Sequence, residues 1–233
     1  MPPQIKKVAQ TYLKNATEVR IESETRTVER IAQFVLPVYA ERKLDALTRI
    51  LEVEPFDASI IFVRTKAETT MLAEKLSARG HAVAPLSGDL NQRQREQTVE
   101  DLKRGKKDII IATDVAARGL DIDRISHVIN YALPEDPAVY LHRTGRTGRA
   151  GKTGVAISFM GGREISCRKI LEHKYEIQFE ERTLPSREEA DRLWSKRHLD
   201  EMRKAIDQGL AFEGFLGMAR GLRERGEEAD ALI

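Results

Sequence analysis

Two short runs, SIIFV at 59–63 and DIIIA at 108–112, place bulky apolar residues at successive positions instead of alternating them with polar ones. A strand with one wet face alternates. Consecutive apolar positions need cover on both faces, which a parallel sheet with crossover helices supplies. Amphipathic segments separate these runs. One is expected over 41–53, with Leu44, Leu47, Ile50 and Leu51 on one face. Another is expected over 65–79, opened by Thr65 and Glu68 as a capping box and stopped at Gly80. Further helices are expected over 91–104, 135–141 with Pro137 in the first turn, and 163–173. Strands are expected over 59–63, 81–86, 108–112, 126–131 and 154–160. Ahead of them, Ile5, Val8, Ala9 and Tyr12 mark a short helix, and residues 17–36 read as extended chain ending in an edge strand through Ile31, Phe34 and Leu36. The pattern predicts an α/β doubly wound domain with a mostly parallel sheet.

Beyond about Pro185 the strand pattern stops. Helices are expected over 187–208 and 210–225, the second with Phe212, Phe215, Leu216, Ala219 and Leu222 on one stripe. The chain thus divides into an N-terminal helix and linker at 1–36, an α/β domain at 37–183 and a helical extension at 184–233. The stripe is expected to pack on the domain or its partner helix, with a homodimer surface as the other reading.

Composition narrows the setting without naming a function. Hydrophobic residues make up 41% and charged residues 33%, and the net charge of +2 gives no global attraction to nucleic acid, so any basic surface must be local. The single cysteine, Cys167, excludes an internal disulfide and fits a reducing compartment; it reads as a small buried apolar residue. No apolar run approaches the roughly 18 residues that span a bilayer, and no leader opens the sequence, so a cytoplasmic location is expected. His81, His127, His173 and His198 show no metal-ligand spacing.

The most chemically pointed stretch is His142 to Arg149, HRTGRTGR, with Arg143, Arg146 and Arg149 spaced by three. Guanidinium groups carry five donors in a rigid fork and stay charged at any working pH, which suits phosphate oxygens. Gly145 and Gly148 would let the backbone approach a ligand. In open α/β sheets ligands bind beyond the carboxyl ends of the strands. There the sequence offers Arg64 and Thr65, Ser87 to Asp89, and Thr113 to Asp121. Hydroxyls, arginines and backbone amides in this mixture suit a sugar-phosphate backbone. Aromatic residues are 6% of the chain and do not cluster there in sequence, which argues against a base-stacking platform.

Four of these segments, IIFVRT (60–65), SGDLNQRQR (87–95), ATDVAARGLDI (112–122) and HRTGRTGR (142–149), occur in the order and near the separations of motifs in the second RecA-like domain of DEAD-box ATP-dependent RNA helicases. The resemblance covers roughly residues 1–183 and favours the bacterial cold-shock and ribosome-assembly type. It implies a RecA-like fold. It also implies that Arg146 and Arg149 reach the γ-phosphate of an ATP, with Mg²⁺, bound mainly by an N-terminal RecA-like domain of the same protein. His142 and Arg143 match positions in the interdomain network, and Gly119 and Asp121 match a segment touching the ribose and phosphates. Arg64, Thr65, Gly88, Gln92, Arg95, Thr113 and Asp114 match positions at or beside the RNA backbone. Ser87 stands where histidine is common and Thr144 where isoleucine is common; neither removes a donor from the phosphate site. Met1 to Ile5 resemble the residues that follow the Ser-Ala-Thr motif ending the first domain's core.

Two look-alikes are set aside. AGKTG at 150–154 lacks the earlier glycine of a phosphate-binding loop and precedes a strand. The EEAD tetrapeptides at 188–191 and 227–230 do not follow a buried strand and read as solvated helix charges. Lacking both a phosphate-loop lysine and an acidic Mg²⁺ pair, the chain is expected not to hydrolyse ATP alone. The rival readings are a stand-alone RNA-binding or scaffold module, for which fingers at this spacing have no use, and a related DNA helicase, in which glutamine usually replaces His142.

Overall fold

The computed structural model describes residues 3–13, 30–149 and 151–207. In chain order these form α1 (Pro3–Tyr12), β1 (Ile31–Pro37), a 3-10 turn (Ala40–Arg42), α2 (Lys43–Val53), β2 (Ala58–Phe62), α3 (Lys66–Ser77), β3 (Val83–Leu86) and α4 (Gln92–Lys103). There follow β4 (Ile109–Ala112), β5 (Ile125–Asn130), α5 (Pro137–Thr144), β6 (Gly154–Met160), a 3-10 turn (Gly162–Glu164), α6 (Ile165–Lys174), β7 (Glu180–Glu181) and α7 (Arg187–Asp207). The strands make one sheet in the order β3-β4-β2-β5-β6-β1-β7. Every pairing is parallel.

The apolar runs fill the centre of this sheet because they alone have two faces to bury. Ile61, Ile109, Ile111 and Ile129 point to one side, where α2 and α3 contribute Leu47, Ile50, Leu51, Leu72 and Leu76. Ile60, Phe62, Ile110 and Val128 point to the other, meeting Leu102 of α4 and Ala116, Ala117, Leu120 and Ile122 of the loop after β4. A third cluster joins Val35 and Met160 to Tyr140 of α5 and Cys167 and Leu171 of α6. Chains leaving β1 and β2 therefore turn to one face, and chains leaving β4, β5 and β6 turn to the other. That reversal leaves crevices at the carboxyl ends of the strands.

Local signals explain the helix starts. Thr65 and Glu68 form the expected capping box on α3, and Asn91 and Gln94 form a second on α4. Asp136 caps α5, whose Pro137 occupies the first turn. Helix α6 begins later than expected, behind the turn at Gly162–Glu164.

One expectation is corrected. β1 is not the sheet edge: β6 pairs along its full length on one side, and β7 pairs with Phe34 and Val35 on the other. Both faces of β1 are buried, with Phe34 and Leu36 in one cluster and Val35 in another. Gln33 disguised this in the sequence. It is buried in the strand, where its side-chain oxygen accepts a 2.6 Å hydrogen bond from Tyr140. β7 itself is two glutamates and gives no apolar signal.

Helix α7 follows the expected 187–208 segment closely, and its first turns belong to the α/β body. Leu184 packs against the core, Ala190 is buried, and Arg49 of α2 donates to the Pro185 carbonyl at 3.2 Å. The helix expected over 210–225, and with it most of the dimer surface expected within 184–233, lies outside the described residues. Among the described residues no helix is long and apolar enough to cross a membrane.

Candidate functional site

The loops leaving β2, β3, β4 and β5 bring together residues from four separated parts of the sequence. At their centre is Arg143, in the last turn of α5, with only 2% of its surface exposed. Its Nε and Nη2 donate to the two carboxylate oxygens of Asp114 at 2.5 and 2.8 Å. Its Nη1 donates to Asn130 Oδ1 at 3.1 Å and to the Ala132 carbonyl at 2.7 Å, and the guanidinium lies over the Phe62 ring at 5.0 Å. A bidentate pair of this kind fixes orientation as well as charge. Arg143 thus ties α5, β5 and the loop after β4 into one unit, and the Asp114 carboxylate faces this arginine.

Arg146 and Arg149 are arranged differently. Each Nε donates to a carbonyl four residues earlier, His142 at 3.2 Å and Gly145 at 2.8 Å, which folds both side chains back along the end of α5. Each Nη1 then reaches the Leu120 carbonyl, at 2.5 Å from Arg146 and 3.2 Å from Arg149. Arg149 also forms an ion pair with the exposed carboxylate of Asp121. Burial, and next the neighbouring Arg149 charge, lower the Arg146 guanidinium from its ordinary value while Asp121 opposes them. Two guanidinium groups held on one carbonyl form a local concentration of positive charge suited to an anion.

His142 is exposed and lines a cleft of about 360 Å³ with Phe62, Asp114, Gly119, Arg143 and Arg146. Gly119 has φ of +73° and open space where a side chain would project, so the loop turns there in a left-handed conformation and presents bare backbone. Gly148 has a different reason. Its φ is +67°, and a Cβ there would lie 2.9 Å from Ile31 Cγ1. Close packing on β1 is therefore a reason for glycine at this position. Thr144 is buried with its hydroxyl donating to the Tyr140 carbonyl at 3.1 Å, which accommodates the departure from isoleucine.

The residues expected beside a nucleic-acid backbone occupy the ends of β3, β4 and β2, three adjacent strands. Arg95 Nη2 donates to the Arg118 carbonyl at 2.9 Å, joining α4 to the loop after β4. Thr113 Oγ1 accepts from the Ala116 amide at 3.5 Å. Gln92 donates to Glu96 at 2.7 Å on the exposed start of α4. The Thr65 hydroxyl is engaged in the α3 cap. Arg64 turns away from these residues, its Nη2 donating to the Leu133 carbonyl at 3.5 Å and to Glu164 at 3.3 Å.

Lys66, not singled out in the sequence, stands beside Gly88 and Asp89. It forms an ion pair with Asp89, and its Cε would be 3.7 Å from a Cβ on Gly88. A signal was available: Lys66 is the first residue of α3, where the helix macrodipole disfavours a cation, so its position calls for a reason outside the helix. Asn130 and the Leu120 carbonyl were also missed. The first looks like an ordinary strand residue, and a carbonyl has no sequence signature.

Comparison with known proteins decides the family. The solved C-terminal domain of the DEAD-box protein Dbp5 is 35% identical, with a TM-score of 0.65, over 72% of this chain and 99% of that one. The chain belongs to the DEAD-box helicase family. Within that family it corresponds to the C-terminal RecA-like domain. The pattern described as Helicase conserved C-terminal domain matches residues 42–151. The ATP-dependent RNA helicase DeaD of Mycobacterium tuberculosis is 47% identical over 206 residues, covering 88% of this chain and 36% of that protein. The chain therefore spans about a third of the length of that DEAD-box relative. S. cerevisiae Dbp5 bound to RNA and ADP BeF3 is 33% identical, with a TM-score of 0.69, over 84% of this chain and 52% of that one.

Proposed function

We propose that this domain supplies half of a composite ATPase and RNA-binding site in a cytoplasmic, ATP-driven RNA helicase that opens short duplexes. The observation that carries this reading is the convergence of Arg146 and Arg149 on the Leu120 carbonyl beside Asp121. That arrangement presents two preorganised cations from one domain, the form that arginine fingers take in phosphoryl transfer. The solved Dbp5 complex with RNA and ADP BeF3, and the ATP-dependent helicases among the relatives, support the same class of ligands.

On this reading Arg146 and Arg149 stabilise charge on the γ-phosphate, and Asp121 exchanges its pairing with Arg149 for the ribose side of the nucleotide. Bare backbone at Gly119 allows that approach. His142 faces the N-terminal RecA-like domain, and Arg143 acts through Asp114 by fixing the loop that carries Thr113 and Gly119. ATP brings the transferable phosphoryl group and Mg²⁺ balances its charge. On this reading Mg²⁺ is held by the N-terminal RecA-like domain. RNA runs along Gly88, Gln92, Arg95 and Thr113, with Lys66 and the Thr65 backbone beside it, as a backbone track without base readout.

Arg146→Ala and Arg149→Ala in the two-domain protein are expected to lower RNA-stimulated ATP turnover by several powers of ten without lowering the melting temperature. Turnover within about threefold of wild type in both variants, less than 1 kcal/mol of transition-state stabilisation, would refute the finger assignment.

A further inference from the structure

The strand order leaves a second cleft that the ATP and RNA-track residues do not use. β5 and β6 send their chains to one face, while β1 and β2, on either side of them, send theirs to the other. A gap of about 580 Å³ therefore opens above the carboxyl ends of β5 and β6, between the starts of α2 and α3. This lies within the roughly 300–1,000 Å³ of small-molecule sites. Its floor is polar and already braced. Lys43 Nζ donates to the Tyr131 carbonyl at 2.9 Å and lies 3.8 Å from Glu164, which also accepts from the Gly161 amide at 3.0 Å. Glu68, the other carboxylate present, is held by the backbone amides of Arg64 and Thr65 at 3.1 and 3.0 Å.

Its mouth is less committed. Tyr39 is 75% exposed and Met71 40% exposed, both large hydrophobic side chains in contact with water at the same opening. Arg64 lines the opening with its side chain 42% exposed, and among the described residues Nη2 is the one nitrogen of that side chain that donates hydrogen bonds. An exposed aromatic ring and a guanidinium with free donors lining one opening match what one nucleotide of single-stranded nucleic acid requires: a stacking face and a phosphate partner. Tyr39 and Tyr131, distant in sequence, line one cleft only through the fold.

Spatial order supplies the occupant. The proposed RNA track follows the ends of β3, β4 and β2, and the next strand in the sheet, β5, delivers Tyr131 into this cleft. We propose that the RNA strand continues past Arg64 into the cleft, with one base stacked on Tyr39 against Met71 and its phosphate on Arg64. The inference rests on the RNA-track reading above and extends it by one nucleotide subsite.

The test is binding of this 233-residue chain to oligouridylates lengthened one nucleotide at a time, for wild type, Tyr39→Ala, Tyr39→Phe and Arg95→Ala. Wild type is expected to gain about 5- to 100-fold in affinity at the length that fills the cleft. Tyr39→Ala loses that step and keeps its affinity for shorter RNA, and Tyr39→Phe retains it. Arg95→Ala weakens every length. Unaltered binding of Tyr39→Ala at every length, with Arg95→Ala weakened, would overturn the subsite alone and leave the cleft to a protein ligand. Unaltered binding of Arg95→Ala at every length would overturn the track and the subsite with it.

Discussion

Asp114→Ala tests whether the centre of the site is braced as described. Arg143 is 2% exposed and places two donors on Asp114. Removing the carboxylate leaves a buried guanidinium with half its fork unpaired, while Asn130 and the Ala132 carbonyl still hold Nη1. Breaking a fully buried ion pair costs about 3–5 kcal/mol. The Asp114 side chain is 37% exposed, so water can take over part of its role, and the expected loss is about 2–3 kcal/mol. For a domain of this size that lowers the melting temperature by about 4–12 °C, read by circular dichroism on the chain alone. Asp114→Asn keeps one acceptor and should lose about half as much. In an Arg143→Met background the same Asp114→Ala change should cost less than about 0.5 kcal/mol, giving a coupling energy near 2 kcal/mol. A melting temperature for Asp114→Ala within about 1 °C of wild type would refute the brace.

Gly148→Ala should destabilise the domain by about 2–4 kcal/mol in urea unfolding. The left-handed backbone at φ +67° accounts for roughly 1–2 of this, and the 2.9 Å approach to Ile31 adds overpacking strain. A loss below about 0.5 kcal/mol would show that β1 yields. Acid should weaken the far end of the sheet through Glu54. His127, with Nε2 at 3.7 Å, and Arg182, with Nη1 at 2.5 Å, hold its carboxyl below the ordinary value. A depressed folded-state value gives stability that is present above the ordinary carboxylate range and lost as pH falls through the folded value. Glu54→Gln should therefore be less stable than wild type at pH 7, with the gap closing below about pH 4; a gap independent of pH would contradict the pairing.

The fold was legible where burial on both faces left a compositional mark, as in β2 and β4, and where a cap was read from its side chains, as at Thr65 with Glu68. It was illegible where a polar residue entered the core. Gln33 concealed the double burial of β1, because its partner Tyr140 is remote in sequence. The site divides in the same way. The arginine spacing marked Arg143, Arg146 and Arg149 alike as groups suited to phosphate, and it gave no warning that Arg143 faces inward. That difference arises because α5 ends at Thr144, which leaves Arg143 on the last turn against the sheet and the other two beyond it. Arg64 and Lys66 lie two residues apart at a strand-to-helix turn and diverge, Arg64 to the cleft with Glu164 and Lys66 to Asp89, which only the path of the loop determines.

The account's central claim is a half-site that works only in company. It is tested most directly by ATP hydrolysis, with and without RNA, for this chain alone and after addition of the matching N-terminal RecA-like domain, alongside a linked two-domain control. No hydrolysis by the chain alone and RNA-dependent hydrolysis on mixing or linking are the expected results. Hydrolysis by the chain alone, or an active linked control that is indifferent to Arg146→Ala and Arg149→Ala, would contradict it.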